Sequence, residues 1–242
     1  MKFGAPQSRQ SLACHGRSHV GLVRTENEDS FGLATDRGIA VVADGMGGHE
    51  NGRFVADCTV AALCQVVPDG QLDQTLSRAR LALSETNRDV FNRAQQVRRT
   101  MGATLVAAIL GEDRIGILWA GDSRAYIYRC GRLHALSRDH SAVQELLDSG
   151  KIAPCEAATH PLRHVVTRAL GVTEHLEVEV GTHALGAGDL ILLSTDGLHG
   201  AVSDEQIEDC LAKHGLNAVD KLIDLAMDAG GRDNVTVVLL KV

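Results

Sequence analysis

Four aspartates in this sequence stand at the ends of apolar runs. Asp44 follows Ala40–Ala43 in VVADGMGGH, Asp122 closes LWAGDSR, Asp196 closes LILLSTDGL, and Asp233 precedes the run in GGRDNVTVVLL. A short apolar, partly β-branched run reads as a buried strand, so each carboxylate is pinned at a strand end. An ionised Asp is expensive to bury unless it is paired or bound to a metal. Gly45, Gly47 and Gly48 let backbone carbonyls and a ligand approach Asp44 closely. One such turn alone reads as a solvated Asp-Gly turn. Four of them, if they converge at one edge of packed sheets, form an all-oxygen environment that suits Mg²⁺ or Mn²⁺ rather than zinc. An EF-hand calcium loop is excluded, because its ligands fall within about twelve residues of one another. The polar hexapeptide Arg24-Thr25-Glu26-Asn27-Glu28-Asp29 lies between strand-like runs, either as a solvated loop or as a contributor to the same site.

Other elements must bring these ends together. SHVGLVR, SFGLATD and GIAVVAD read as strands, followed by helical stretches at roughly 51–67 and 72–98. Spacings of three and four pick out Phe54, Val55, Cys58, Ala61, Ala62 and Gln65 as the core stripe of the first helix. In the second they pick out Leu72, Leu76, Ala79, Leu83, Thr86, Val90 and Ala94. Strand patterns return in ATLVAAIL, RIGILWAG and RAYIYRC, and a less regular region runs from Arg138 to Gly171 with a short helix at 141–149. His160 and His164 are four apart, but Pro161 between them opposes a helix that would offer both to zinc, so they read as loop histidines. LEVEVGTHAL and DLILLST are strands, 203–213 and 217–229 helices, and 234–242 a terminal strand. Helices grouped in this way, rather than alternating with strands, predict α+β layers. Residues 1–15 read as a polar arm ahead of a single domain, 16–242.

With 242 residues, 44% of them hydrophobic, the chain can bury a sizeable core. Aromatics are only 3%, so that core rests on Val, Leu, Ile and Ala. The 24 Lys and Arg against 31 Asp and Glu give a net charge of −7, which removes the basic face that nucleic acid, and hence a two-metal nuclease, requires. No apolar run reaches bilayer length and the N-terminus lacks a signal-peptide core, so a cytoplasmic protein without membrane contact is expected. The six cysteines form no CxxC pair and read as reduced, mostly core residues.

Taken in order, VRTENEDS, VVADGMGGH, GATLVAAIL, WAGDSRAYIY, SRDHSAVQELLDSG, VVTRALG, LLSTDGLHGAVSD and GGRDNVTVV resemble the successive signatures of the metal-dependent protein phosphatases. This is the PPM or type 2C family, in its bacterial single-domain form, and the resemblance runs from about His19 to Val242. It implies a four-layer αββα sandwich of two antiparallel β-sheets flanked by helices, with two Mn²⁺ or Mg²⁺ ions in a cleft at one end. By the same resemblance Asp44 bridges the two ions, Asp196 and Asp233 complete the first, and the Gly45 carbonyl serves the second. Asp122 with Asp196 makes a third, weaker site. Glu28 and Asp29 hold metal-bound waters, and Asn234 stands with them around the ligands. Arg24 grips the substrate phosphate, since a guanidinium matches phosphate oxygens bidentately. Two ions about 4 Å apart would lower the pKa of a bridging water for direct in-line attack. No phosphoenzyme is needed, and the chain has no Cys-x5-Arg signature; Cys58 and Cys64 read as core.

Met46 stands where animal members carry a general-acid histidine, which leaves a metal-bound water as the expected proton donor. His49 reads as a helix cap or surface residue, and His140 and His199 as structural. The segment 141–168 resembles the family's flap beside the cleft. The implied substrates are phosphoserine and phosphothreonine in proteins. The implied partners are a bacterial Ser/Thr kinase and its forkhead-associated targets, in a setting that includes secretion-system control, with the enzyme a monomer. The alternative is a PPM-fold regulator that binds phosphoproteins without hydrolysis, against which every metal-ligand position is acidic.

Overall fold

The computed structural model describes residues 12–48, 50–157 and 159–242. In chain order its strands are β1 (Ala13–His19), β2 (Asp29–Ala34), β3 (Ile39–Met46), β4 (Gly102–Leu110), β5 (Arg114–Ala120), β6 (Arg124–Arg129), β7 (Arg132–Ala135), β8 (Glu179–Ala184), β9 (Leu190–Ser194) and β10 (Val235–Lys241). The helices are α1 (Glu50–Cys64), α2 (Leu72–Val97), α3 (Ala142–Asp148), α4 (Pro154–Ala157), α5 (Asp196–His199), α6 (Asp204–His214) and α7 (Ala218–Asp228). Two five-stranded sheets form, in the orders β2-β3-β4-β5-β8 and β1-β10-β9-β6-β7, with every pair antiparallel.

Side-chain alternation sorts the layers. Along β3, Ile39, Val41 and Ala43 pack with α1 and α2, while Ala40 and Val42 point into a layer shared with the other sheet. On that other sheet, Leu190 and Leu192 of β9 pack with α6 and α7, and Ile191 and Leu193 join the shared layer. Three apolar layers between four layers of structure make the αββα sandwich that the resemblance implies. Among the described residues no helix is long and apolar enough to cross a membrane.

Several local expectations are corrected. The polar arm was expected to reach residue 15, yet β1 begins at Ala13; residues 1–11 lie outside the described residues, as does His49. β1 has no apolar alternation because its middle is Gly16, where a Cβ would stand 2.7 Å from the Phe31 ring. The chain from Val20 to Glu28, expected to begin as a strand, is a loop. The buried stripe of α1 is Gly52, Val55, Ala56, Thr59 and Leu63, so Ala61 and Gln65 are exposed. Thr59 is tolerated there because its hydroxyl donates to the Val55 carbonyl at 2.8 Å. In α2, Asn87 rather than Thr86 is buried. Its Nδ2 donates to the Thr173 and Glu174 carbonyls, both at 3.0 Å, and its Oδ1 accepts from the Gly171 N–H at 2.7 Å. All six cysteines are free, but only Cys210 is buried; Cys14, Cys58 and Cys64 are half-buried, and Cys130 and Cys155 are exposed.

Candidate metal centre

The shared layer between the sheets is apolar through Phe31, Val42, Val106, Ala125, Leu193 and Val238. Two residues further along each of these six segments, the same face carries Asp29, Asp44, Thr104, Ser123, Thr195 and Thr236. Register places Asp29 opposite Asp44 and Asp44 opposite Thr104. Across the sheets Thr104 Oγ1 lies 2.7 Å from Ser123 Oγ. One end of the inter-sheet core is therefore polar by construction, and the carboxylates collect there.

Asp29 is 1% exposed. Its Oδ2 accepts from the hydroxyls of Thr195 at 2.9 Å and Thr236 at 2.7 Å, whereas its Oδ1 is buried without a partner. Burial, offset only in part by those two donors, pushes its pKa up to about 7. Burial and then the charges of Asp29, Asp196, Asp122 and Asp233 raise Asp44 well above the carboxylate range. Asp122 is pushed up to about 7, by burial first and then by the charge of Asp196. Asp196 is raised by burial and by Asp233, although His164 and a hydrogen bond with Asp44 pull the other way. Its Oδ1 is also buried and unpartnered. Carboxylates that are buried or half-buried together, repel one another and leave two oxygens unsatisfied are what a multivalent cation would neutralise, and every donor is a hard oxygen. Among the described residues no three acidic, His or Cys side chains close into a metal-holding group.

Loops fix the rim. Asn234 donates from Nδ2 to the Val20 and Glu26 carbonyls at 2.8 and 2.9 Å, and its Oδ1 accepts from the Glu28 N–H at 2.8 Å. One side chain thus ties the Arg24–Asp29 loop to the start of β10. Gly21, at φ +86, is required where this loop crosses, because a Cβ would land on the Asp233 carbonyl. Gly197 is required beside Asp196 for a similar reason, since a Cβ there would land on the Asn234 carbonyl. The Glu28 side chain packs over Gly52 of α1, and its carbonyl accepts from the Gly45 N–H at 3.3 Å. Arg24 Nη2 donates to Asp233 Oδ2 at 2.9 Å, and this bond raises the Arg24 pKa.

Arg24, Asp44, Asp122, Asp196 and Asp233 all line one cleft of about 790 Å³, so the four aspartate turns do converge. Asp29, Glu28 and Asn234 sit behind that lining. Sequence reading missed the Thr195–Thr236 cradle of Asp29, and it missed Arg232, Arg163 and His164 on the cleft walls. Met46 also lines the cleft. His140 is buried at the root of the 141–168 segment. Its Nδ1 accepts from the Gly121 N–H at 3.2 Å, its Nε2 lies 2.6 Å from Glu179 Oε2, and its ring stacks on Trp119. His199 bonds to the Asp122 backbone, and burial drives its pKa well below the usual histidine value. Arg124 chelates Asp139 through Nε and Nη2, both at 2.8 Å, joining β6 next to Asp122 to the chain that enters the 141–168 segment.

Residues 15–228 match the family described as protein phosphatase 2C. The chain is 38% identical over 232 residues to the serine/threonine protein phosphatase PstP of Mycobacterium tuberculosis; the match covers 93% of this chain but only 44% of that relative's length. It is 34% identical to the serine/threonine phosphatase stp of Listeria welshimeri, covering 93% of this chain and 94% of that one. Among solved structures it superposes on PppA, a key regulatory component of T6SS in Pseudomonas aeruginosa. There the TM-score is 0.89 at 38% identity, over 96% of this chain and 98% of the other. On the catalytic domain of PstP in complex with two manganese ions the TM-score is 0.85 at 35% identity, over 95% and 97% of the chains.

Proposed function

Because the chain belongs to the protein phosphatase 2C family, we propose that it is a divalent-metal-dependent phosphatase that hydrolyses phosphoserine and phosphothreonine in proteins. The observation that carries this reading is the carboxylate cluster at the polar end of the inter-sheet core, with Asp29 Oδ1 and Asp196 Oδ1 buried and unpartnered. Asp44, Asp196 and Asp233 with the Gly45 carbonyl would hold two ions, Mn²⁺ or Mg²⁺, and Asp122 with Asp196 a third. Bound there, such ions lower the pKa of the attacking water and neutralise the phosphoryl oxygens.

The chain's own residues supply the rest. Arg24, exposed at the cleft and oriented by Asp233, binds the phosphate oxygens of the substrate. Thr195 and Thr236 hold Asp29, and with it Glu28 and Asn234 keep the loop behind the ligands in place. Met46 offers no proton, so protonation of the leaving alkoxide falls to water. The catalytic domain runs from Ala13, where β1 begins, to Val242, and 141–168 is its flap, whose Arg163, His164 and Val166 line the cleft. The substrates would be the products of a bacterial Ser/Thr kinase, forkhead-associated proteins among them. A secretion-system setting is supported by the likeness to PppA.

The test is hydrolysis of p-nitrophenyl phosphate and a phosphothreonine peptide in EDTA, Mg²⁺ or Mn²⁺, by the wild type, Asp44→Asn and Asp196→Asn. Metal-dependent turnover lost in both variants is expected. An inert wild type under saturating Mn²⁺ that still binds the phosphopeptide would overturn the catalytic reading in favour of a phosphoprotein-binding regulator.

A further inference from the structure

The cleft is acidic on its floor, yet its walls carry three arginines and a histidine in a chain whose net charge is −7. Three of these four side chains already have engagements. Arg24 is bonded to Asp233, His164 is close enough to Asp196 to lower its pKa, and Arg163 makes a long bond of 3.5 Å to the His160 carbonyl within its own turn. Among the described residues Arg232 makes no side-chain hydrogen bond and no ion pair, and it is exposed. Its backbone, by contrast, is held firmly. The Gly231 N–H donates to the Ala226 carbonyl at 3.0 Å, the Gly231 carbonyl accepts from the Leu22 N–H at 2.6 Å, and Asn234 anchors the other side. An exposed side chain without a partner, on a pinned backbone, suits capture of a ligand group better than support of the fold.

Deepening the phosphatase reading, on which this rests, we infer that Arg232 is a specificity-determining residue. It binds a second anionic side chain, carboxylate or phosphate, on the substrate near the phosphoresidue. Arg24 and Arg232 flank the same Asp233, one through its side chain and one through the adjacent peptide. An extended peptide advances about 3.3–3.6 Å per residue, so an anion two or three residues from the phosphoresidue reaches about 7–10 Å along the cleft. A guanidinium takes either anion bidentately. The preferred substrate class is therefore an acidic or multiply phosphorylated segment.

The experiment compares five probes on the Mn²⁺-loaded full chain: p-nitrophenyl phosphate, and phosphothreonine peptides with neutral flanks, with Asp or Glu two or three residues away, with a second phosphoserine there, and with Lys flanks. The readout is the ratio of kcat/KM for each anionic peptide to the neutral peptide within one preparation, which cancels any overall loss in a variant. The wild type should favour at least one anionic peptide about tenfold, mainly through KM, and the two anionic arms tell carboxylate from phosphate. In Arg232→Ala the ratio should fall to within twofold of unity, Arg232→Lys should restore part of it, and Arg232→Glu should favour a peptide with Lys flanks. Wild type that cleaves all the peptides equally, or an anionic preference unchanged in Arg232→Ala, overturns this inference and leaves the phosphatase reading standing. A wild type inert on p-nitrophenyl phosphate and every peptide overturns both.

Discussion

Replacing Thr236 with Val removes one of the two hydroxyls that donate to Asp29 Oδ2 while keeping the β-branched shape that β10 requires. The Thr236 hydroxyl stands 2.7 Å from both Asp29 Oδ2 and Ser18 Oγ, and its single proton goes to the carboxylate, which when ionised can only accept. A hydrogen bond to a charged group contributes roughly 2 kcal/mol, and one to a neutral group about 1 kcal/mol. The pH dependence follows from the raised pKa of Asp29, about 7 against 3.8 in the unfolded chain. Between these values the folded state binds more protons than the unfolded state, so this group's contribution to stability falls as pH rises through the window. Losing a donor to the ionised form raises the folded pKa further and steepens the fall. Urea unfolding in EDTA should therefore show Thr236→Val destabilised by about 1 kcal/mol at pH 5.5 and by about 2 kcal/mol at pH 8. An equal loss at both pH values, or a larger one at pH 5.5, would refute the view that the threonine cradle supports Asp29 chiefly in its ionised form.

Metal loading should act on the same balance: at a free Mn²⁺ concentration a hundredfold above Kd, folding gains about 2.7 kcal/mol, read as a Tm rise of about 5–10 °C over the EDTA sample. That rise should be smaller at pH 5.5, where protons compete for Asp122 and Asp29, and a full rise in Asp44→Asn would contradict the proposed ligand set. Gly197→Ala drives a Cβ into the Asn234 carbonyl and should cost more than about 2 kcal/mol in urea unfolding and lower turnover with it, because α5 carries Asp196. Asn87→Leu strands the Gly171 N–H and frees the 171–174 turn, for an expected loss of about 3 kcal/mol; a loss below 1 kcal/mol would mean that the turn finds other partners.

The aspartates were legible because a carboxylate at the end of an apolar run is costly, and the repetition of that cost is visible in sequence. Their cradle was not. Thr195 and Thr236 sit where a β-former is expected, so nothing in their type separates a strand residue facing apolar neighbours from one whose hydroxyl feeds a buried acid. β1 escaped notice because ACHGRSH shows no alternation, its centre being a glycine that yields its space to Phe31. The stripe of α1 was rotated because Ala61 and Gln65 fit a helical spacing as well as Gly52 and Thr59 do, and only the packing of Leu63 against β3 settles which face turns inward. Arg232 was invisible for another reason. A lone arginine before Asp-Asn reads as solvated surface until the cleft around it and its lack of a partner among the described residues are known.

Residues 44, 122, 196 and 233 meet because each lies at a strand end on the same end of the sandwich: the close of β3, the β5–β6 turn, the step from β9 into α5, and the entry to β10. Strand pairing alone would put them at that end but not on a common face. For Asp29 and Asp44 the face is decided by alternation, since both continue the rows of Phe31 and Val42 that fill the inter-sheet layer. A one-residue slip in β3 would turn Asp44 towards α1 and bring Ala43 into the cleft, exchanging a carboxylate for a methyl group. The apolar rows on either side of the sheet therefore do more than stabilise the sandwich. By fixing register they hold Asp44 against Asp29 and Asp196, in the mutual repulsion that makes a bound cation favourable there.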